Sequence, residues 1–421
     1  MIVATAATLV CLLVQVVVWR RLRPSRLVGD EAEYLRPVRR PDQGAPWIRV
    51  PLHGWLLRRL SRGQDPARAR MLPTLCAALA AGVAAGWLWR QGTPWVALPA
   101  LALLALSVER AVLSLHLWPD AAMGLCWSLF AVLLTAPAPG GPDPVALALV
   151  GAVALGLRIE GAVLCALAVI VPLWSAEPDL LGAAAAVVLC AIAAALWTAM
   201  NRALSGHWSL DTTLAFNLTV FRLDAAEPDR PIADVMRTAL HLHRGQAAAP
   251  HPPHPPHPPH PPRASPRRMG PRLAARLRLL LGPETFVTER LLDRNAAGYA
   301  AAARLRRAGP WRADLRHGFT LLAMLAGIGM PQAPGALIGL TAVAVAVYAA
   351  LLTRSRYRMA IMPLLAMTGG AGWSHVLMAG RVADLWPGVL VVGAAWFVLA
   401  RAPIVSEHGG DTGPVQDGRP S

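Results

Sequence analysis

Two carboxylates stand where an apolar run ends. Residues 2–19 carry no charge, and the string GDEAEYL, Gly29 to Leu35, follows them with Asp30 and Glu31 at the mouth of the run. A carboxylate within hydrogen-bond reach of a hydroxyl can accept its proton as a new bond forms. Charge beside a bilayer is tolerated where water or a partner solvates it, so carboxylates at a rim are default site candidates; the competing reading is an ordinary solvated loop. If the loop is helical, Asp30, Glu33 and Tyr34 share a face and Glu31 looks away. That favours Asp30 as a base, leaves Glu31 to orient or steady the site, and makes Glu33 surface decoration.

Further candidates head other apolar runs. Asp120 follows Trp118-Pro119 and is either a helix N-cap or a second site carboxylate, with Glu109 the alternative for that role. Arg158 lies between two apolar runs, and an arginine at mid-bilayer costs about 3 kcal/mol on insertion scales. It must therefore face a cavity or pair, with Glu160 the nearest carboxylate. Arg356 and Arg358 head another run, where arginine is also the commonest snorkelling anchor. His53 and His116 can assist, although a lone histidine near a span is more often structural. No nucleotide-binding loop or metal-ligand cluster is visible.

The elements that position these residues follow from hydropathy. Of 421 residues, 55% are hydrophobic and 15% charged, and the mean hydropathy is +0.44; this is the composition of a multi-span membrane protein. A span needs roughly 20 apolar residues, and residues 2–19 lack the basic leader of a cleaved signal peptide, so they are kept as a retained span. Apolar runs follow near 71–89, 94–108, 121–137, 144–157, 161–175, 180–200, 317–332, 334–352, 358–380 and 383–400. The expectation is an all-α bundle of about eleven spans. It divides into an N-terminal membrane module (1–200) with an acidic first loop, a polar stretch (201–316), C-terminal membrane helices (317–400) and a polar tail (401–421). Counting spans puts 20–70, 109–120, the turn at Arg158 and Glu160, 201–316 and 353–358 on one face.

Within the polar stretch, HPPHPPHPPHPP (His251 to Pro262) is low complexity. Polyproline II spaces its histidines about 9 Å apart along one face, too wide for neighbours to share a metal, so it reads as a linker. Pro283 to Arg307 fits an amphipathic helix on the membrane surface, with basic residues at its end. Cys11, Cys76, Cys126, Cys165 and Cys190 all lie in apolar runs and read as small buried residues without a disulfide framework. The net charge of +16 rests on arginine alone, since the chain has no lysine; with the Ala, Pro and Gly load this is the composition of a high-GC bacterial genome. In a membrane protein that charge points to anionic or phosphate-bearing lipids, not to nucleic acid.

Four segments, in this order, resemble the GT-C class of polyprenyl-phosphate-dependent membrane glycosyltransferases, nearest to protein O-mannosyltransferases and the lipid A aminoarabinose transferases. They are GDEAEYL; VPLHGWLLRRLSRG (Val50 to Gly63) with ARARMLPTL (Ala67 to Leu75); LHLWPDAAMGLCWSL (Leu115 to Leu129); and RSRYRMAIMPLL (Arg354 to Leu365). GLRIEG (Gly156 to Gly161) sits where relatives often have a basic residue. The resemblance covers most of 28–170 and 354–368, and 201–316 has no counterpart. It implies inverting transfer of a sugar from a polyprenyl-phosphate donor to a lipid, glycan or protein acceptor. On this reading Asp30, Glu31 and Asp120 are catalytic, and Arg158, Arg356 and Arg358 bind the donor phosphate through bidentate donors. Glu109, Tyr34 and His53 support them. In the family the second carboxylate helps hold substrate or, in some members, a divalent metal. The resemblance puts the basic loops in the periplasm of an inner-membrane protein, whereas the positive-inside rule puts them in the cytoplasm. A transporter or flippase of lipid-linked sugars, and an inactive scaffold, are the alternatives.

Overall fold

In the computed structural model the described residues are 2–22, 27, 31–35, 49–61, 65–91, 94–136, 141–174, 178–205, 208–226, 311–328, 334–350 and 357–379, with short pieces between 234 and 242, 273 and 281, and 386 and 394. The protein is an all-α membrane bundle, with no strand among the described residues. The N-terminal half begins with α1 (Ile2–Leu22) and continues through three short helices, α2 (Glu31–Leu35), α3 (Pro51–Leu60) and α4 (Pro66–Ala69). Long apolar helices follow: α5 (Met71–Arg90), α6 (Pro94–Leu106), the short α7 (Val108–Leu113), α8 (Asp120–Leu134), α9 (Pro144–Leu157), α10 (Gly161–Leu173) and α11 (Leu180–Ser205). The chain then forms α12 (Thr213–Ala226), α13 (Trp311–Ile328), α14 (Gly335–Ala350) and α15 (Arg358–Ala379).

Most of these helices are apolar on every side, which in a stable helix means burial in protein or in lipid. Among the described residues, Ile2–Arg21, Pro66–Arg90 and Leu180–Leu204 are long and apolar enough to cross a membrane, and five shorter apolar helices accompany them. The outer face of α11 exposes Leu181, Val188, Ile192 and Leu196. Each expected run up to residue 380 corresponds to a helix; 383–400 lies largely outside the described residues, as do the His/Pro repeat and Pro283 to Arg307.

The core is built on α8 and the first half of α15, where Trp127, Phe130 and Leu364 are buried, with Tyr348 of α14 packed into the same cluster. Apolar helices in lipid gain little from hydrophobic association and rely on close packing of small residues. Accordingly, α13 crosses α15 at Gly327, Gly369 and Gly372, where an added Cβ on any of them would meet the facing backbone. Alternation of span direction brings the short first-loop helices, the α7–α8 turn, the α9–α10 turn, the end of α11 and the start of α15 to one end. Val50 N donates to Asp211 (3.2 Å) and Asn201 Nδ2 donates to Arg49 O (3.2 Å) at that end. At the other end Trp87 Nε1 donates to Thr135 Oγ1 at 2.8 Å.

All five cysteines are free, Cys11, Cys126 and Cys165 buried and Cys76 and Cys190 half-buried.

Candidate active site at one end of the bundle

Three charged clusters occupy the end where these loops meet. The first joins the acidic loop to the α7–α8 turn. Glu31 is fully buried, and its Oε1 accepts from Arg70 Nη1 (3.3 Å), His116 Nδ1 (3.1 Å) and the Leu117 N–H (2.8 Å). His116 stacks on Trp118 with ring centroids 4.2 Å apart. Here the helical-face expectation is corrected: α2 begins at Glu31, and Glu31 and Tyr34, three apart, share its buried side. Glu31 turns inward because an arginine, an imidazole and a backbone amide wait there to replace its water. Tyr34 meets the buried His53 edge-on at 5.2 Å and carries Arg49 over its ring and on its hydroxyl (2.9 Å).

The second cluster centres on Arg158, which α9 releases at its C-terminus in extended backbone. Its Nη1 donates to Asp120 (2.5 Å), while Nε and Nη2 grip both oxygens of Glu160 (3.0 and 2.5 Å). The guanidinium lies over the Tyr357 ring, 4.7 Å from its centroid, a cation–π contact. Burial works against the charge of Arg158, and Glu160 and Asp120 more than offset it, raising its pKa further above the ordinary arginine value. The expected pairing of Arg158 with Glu160 is present. The N-cap reading of Asp120 is corrected: Pro119 occupies the cap, and Asp120 is the first helical residue, with its carboxylate on Arg158.

In the third cluster Arg358, the buried first residue of α15, pairs with the buried Glu109 at 3.5 Å. Beside Glu109 in sequence, Arg110 points the other way. It is buried and donates to Leu104 O (3.1 Å), to Ala77 O and towards Cys11 Sγ (4.0 Å). It satisfies carbonyls near the break between α6 and α7, where Ser107 caps α7 by accepting from Arg110 N.

Asp120, Arg158 and Glu160 thus form one cluster, and Glu109 with Arg358 another beside it, through Tyr357. Asp30 and Arg356 lie outside the described residues. Sequence reasoning missed Arg70 as the partner of Glu31, the inward Arg110, and Tyr357 beneath Arg158. The only available signal for Arg70 was an arginine directly before a span. Among the described residues no group of three or more His, Cys, Asp or Glu side chains is arranged to hold a metal ion. Asp120 and Glu160 are bridged by a guanidinium, which is not the donor set of a divalent cation.

No protein-family model matches the chain, and no curated protein matches it. The crystal structure of ArnT from Cupriavidus metallidurans bound to undecaprenyl phosphate is similar over 91% of this chain and 80% of that one, at 17% identity and a TM-score of 0.38. A likeness at that level carries no argument about this chain.

Proposed function

We propose that this protein is a membrane glycosyltransferase of the GT-C type that moves a sugar from a polyprenyl-phosphate donor to a hydroxyl of a lipid, glycan or protein acceptor. The observation that carries the reading is the Asp120–Arg158–Glu160 cluster, set at the end of an apolar bundle beside the acidic first loop. A guanidinium has five N–H donors, and Arg158 uses three of them on its two carboxylates. The remaining two are what a departing phosphate needs.

In the proposed reaction the acceptor oxygen attacks the anomeric carbon from the face opposite the phosphate, with inversion. Its proton passes to Asp30, one residue before the buried Glu31. The bond between the anomeric carbon and the phosphate oxygen breaks, and the lipid phosphate leaves with the electron pair. Arg158 meets its growing charge, and Arg356, two residues before Arg358, supplies a second contact. Charge-assisted donors fixed in a water-poor site act most strongly where charge develops. Asp120 holds the substrate sugar, while Arg358 serves by keeping Glu109 in place. The active end faces the periplasm in the inner membrane, so that the arginines of the first loop serve lipid phosphates.

Purified protein in lipid, given a panel of polyprenyl-phosphate sugars and hydroxyl acceptors, is expected to form glycosylated product. A deletion strain should accumulate the matching lipid-linked donor, identified by mass spectrometry. Movement of labelled lipid-linked sugar across vesicles without product would replace this reading by a flippase.

A further inference from the structure

Resting on the glycosyltransferase reading, we infer that Glu31 and His53 are positioning residues that fasten the first loop to the turn heading α8, and so set where Asp120 stands, without touching substrate. The turn from Ser114 to Pro119 lies between two helices; Leu115 N and His116 N bond back to Val112 O and Leu113 O (3.0 and 3.1 Å), and these local bonds do not satisfy the rest of its backbone. Side chains from the first loop and from the start of α5 do so instead. Thr74 Oγ1 donates to Ser114 O at 3.1 Å and Arg70 Nη1 to Leu115 O at 2.6 Å. Leu117 is held on both of its backbone groups, its N–H by Glu31 (2.8 Å) and its carbonyl by His53 Nε2 (2.9 Å). Asp120 follows three residues later.

Glu31 and His53 both have 0% exposure. A carboxylate that orients an acceptor must be reachable by it, and these two groups face a backbone turn instead. Arg70 and His116 converge on the same Glu31 oxygen as the Leu117 N–H, so the carboxylate is a junction. One consequence concerns the two acidic loops. Asp30 is the chain neighbour of Glu31, and Asp120 hangs from the turn that Glu31 holds. Glu31 thus ties the chain next to Asp30 to the turn that carries Asp120.

Misplacing a site group by about 1 Å can cost on the order of 100-fold. Glu31→Ala and His53→Ala should each lower kcat by about 10- to 100-fold, with KM for donor and acceptor nearly unchanged. Glu31→Gln keeps an acceptor oxygen for the Leu117 N–H, and His53→Gln keeps a donor for its carbonyl; each should restore most of the lost turnover. Because both side chains act through Leu117, the double Ala variant should be no slower than the slower single one. A raised acceptor KM at unchanged kcat for Glu31→Ala would overturn the inference, as would multiplicative losses in the double variant. Thermal unfolding in detergent reads the junction without activity: Glu31→Ala and His116→Ala should be non-additive, and additive shifts overturn the junction itself. A wild-type protein that transfers no sugar from any lipid-phosphate donor overturns the glycosyltransferase reading, and the positioning role with it, whatever the unfolding data show.

Discussion

Arg158 reaches the site already engaged, its fork bridging Asp120 and Glu160 above the Tyr357 ring. Its removal therefore has two effects that a purely phosphate-binding arginine would not show together. Arg158→Ala should weaken donor binding and lower turnover, and it should also destabilise the fold, because it leaves the buried Asp120 and Glu160 carboxylates uncompensated, at a cost of up to about 3–5 kcal/mol. Arg158→Lys should restore stability better than activity, since lysine keeps the charge but lacks the planar fork. Donor titrations and unfolding midpoints in detergent measure the two separately; normal donor binding by Arg158→Ala would mean the phosphate site lies elsewhere. Asp30 belongs to the opposite case. Proposed as the base, it should lose about 100-fold or more in turnover as Asp30→Asn, the usual weight of general base catalysis, with expression and membrane insertion intact. Near wild-type turnover in a defined donor–acceptor assay would remove it from that role. The acidic candidates themselves were legible because charge beside an apolar run stands out. The partners were not, since Glu31 and Leu117 are 86 residues apart and Asp120 and Arg158 are 38 apart.

Helix α8 holds Asp120 in its first turn, and one turn later Gly124 lies against the first turn of α15. A Cβ there would come 2.9 Å from Met359 O and 3.3 Å from Ala360 O. That close approach is what brings Asp120 to the side of Tyr357 and Arg358. Gly124→Val should separate the two helices, lowering both turnover and the unfolding midpoint, with overpacking typically costing about 1–3 kcal/mol. Gly339 on α14 is the control, because nothing lies within 4 Å of its added Cβ. Gly339→Ala should leave both measurements unchanged or slightly raise the midpoint, since alanine is the better helix former. Equal effects of the two substitutions would show that the α8–α15 approach has no part in placing Asp120. The helices themselves were legible from long apolar runs, and most of their ends fell within three residues of the observed ones, but α11 runs five residues further than expected and α13 begins six residues earlier. The break at Ser107 was not, because 94–108 is apolar throughout up to a residue that became a cap. Nor does hydropathy reveal that Arg110 turns into the bundle while Glu109 turns to Arg358.

For the molecule as a whole, the alternation of spans gathers the described first-loop helices, the α7–α8 and α9–α10 turns, the end of α11 and the start of α15 at one end, and this was legible because each apolar run reverses the chain. Which side of the membrane that end faces is a separate matter, on which the physics divides. Excess arginine in loops favours the cytoplasm, while a site for lipid phosphates needs arginine wherever it lies, and long loops are weak topology signals. We expect the periplasmic side, and single exposed positions at the two ends can decide it. Asp65, which caps α4 and is about half exposed (46%), marks the end with the candidate site. Asp143, the cap of α9, marks the other end, since α9 runs from there to Arg158. The native cysteines are buried or half-buried, so they should give little background. In intact cells a membrane-impermeant maleimide should label Asp65→Cys and spare Asp143→Cys until the inner membrane is permeabilised. The reverse pattern would place the arginine-rich end in the cytoplasm, and a donor would then have to be presented to Arg158 from the inner leaflet.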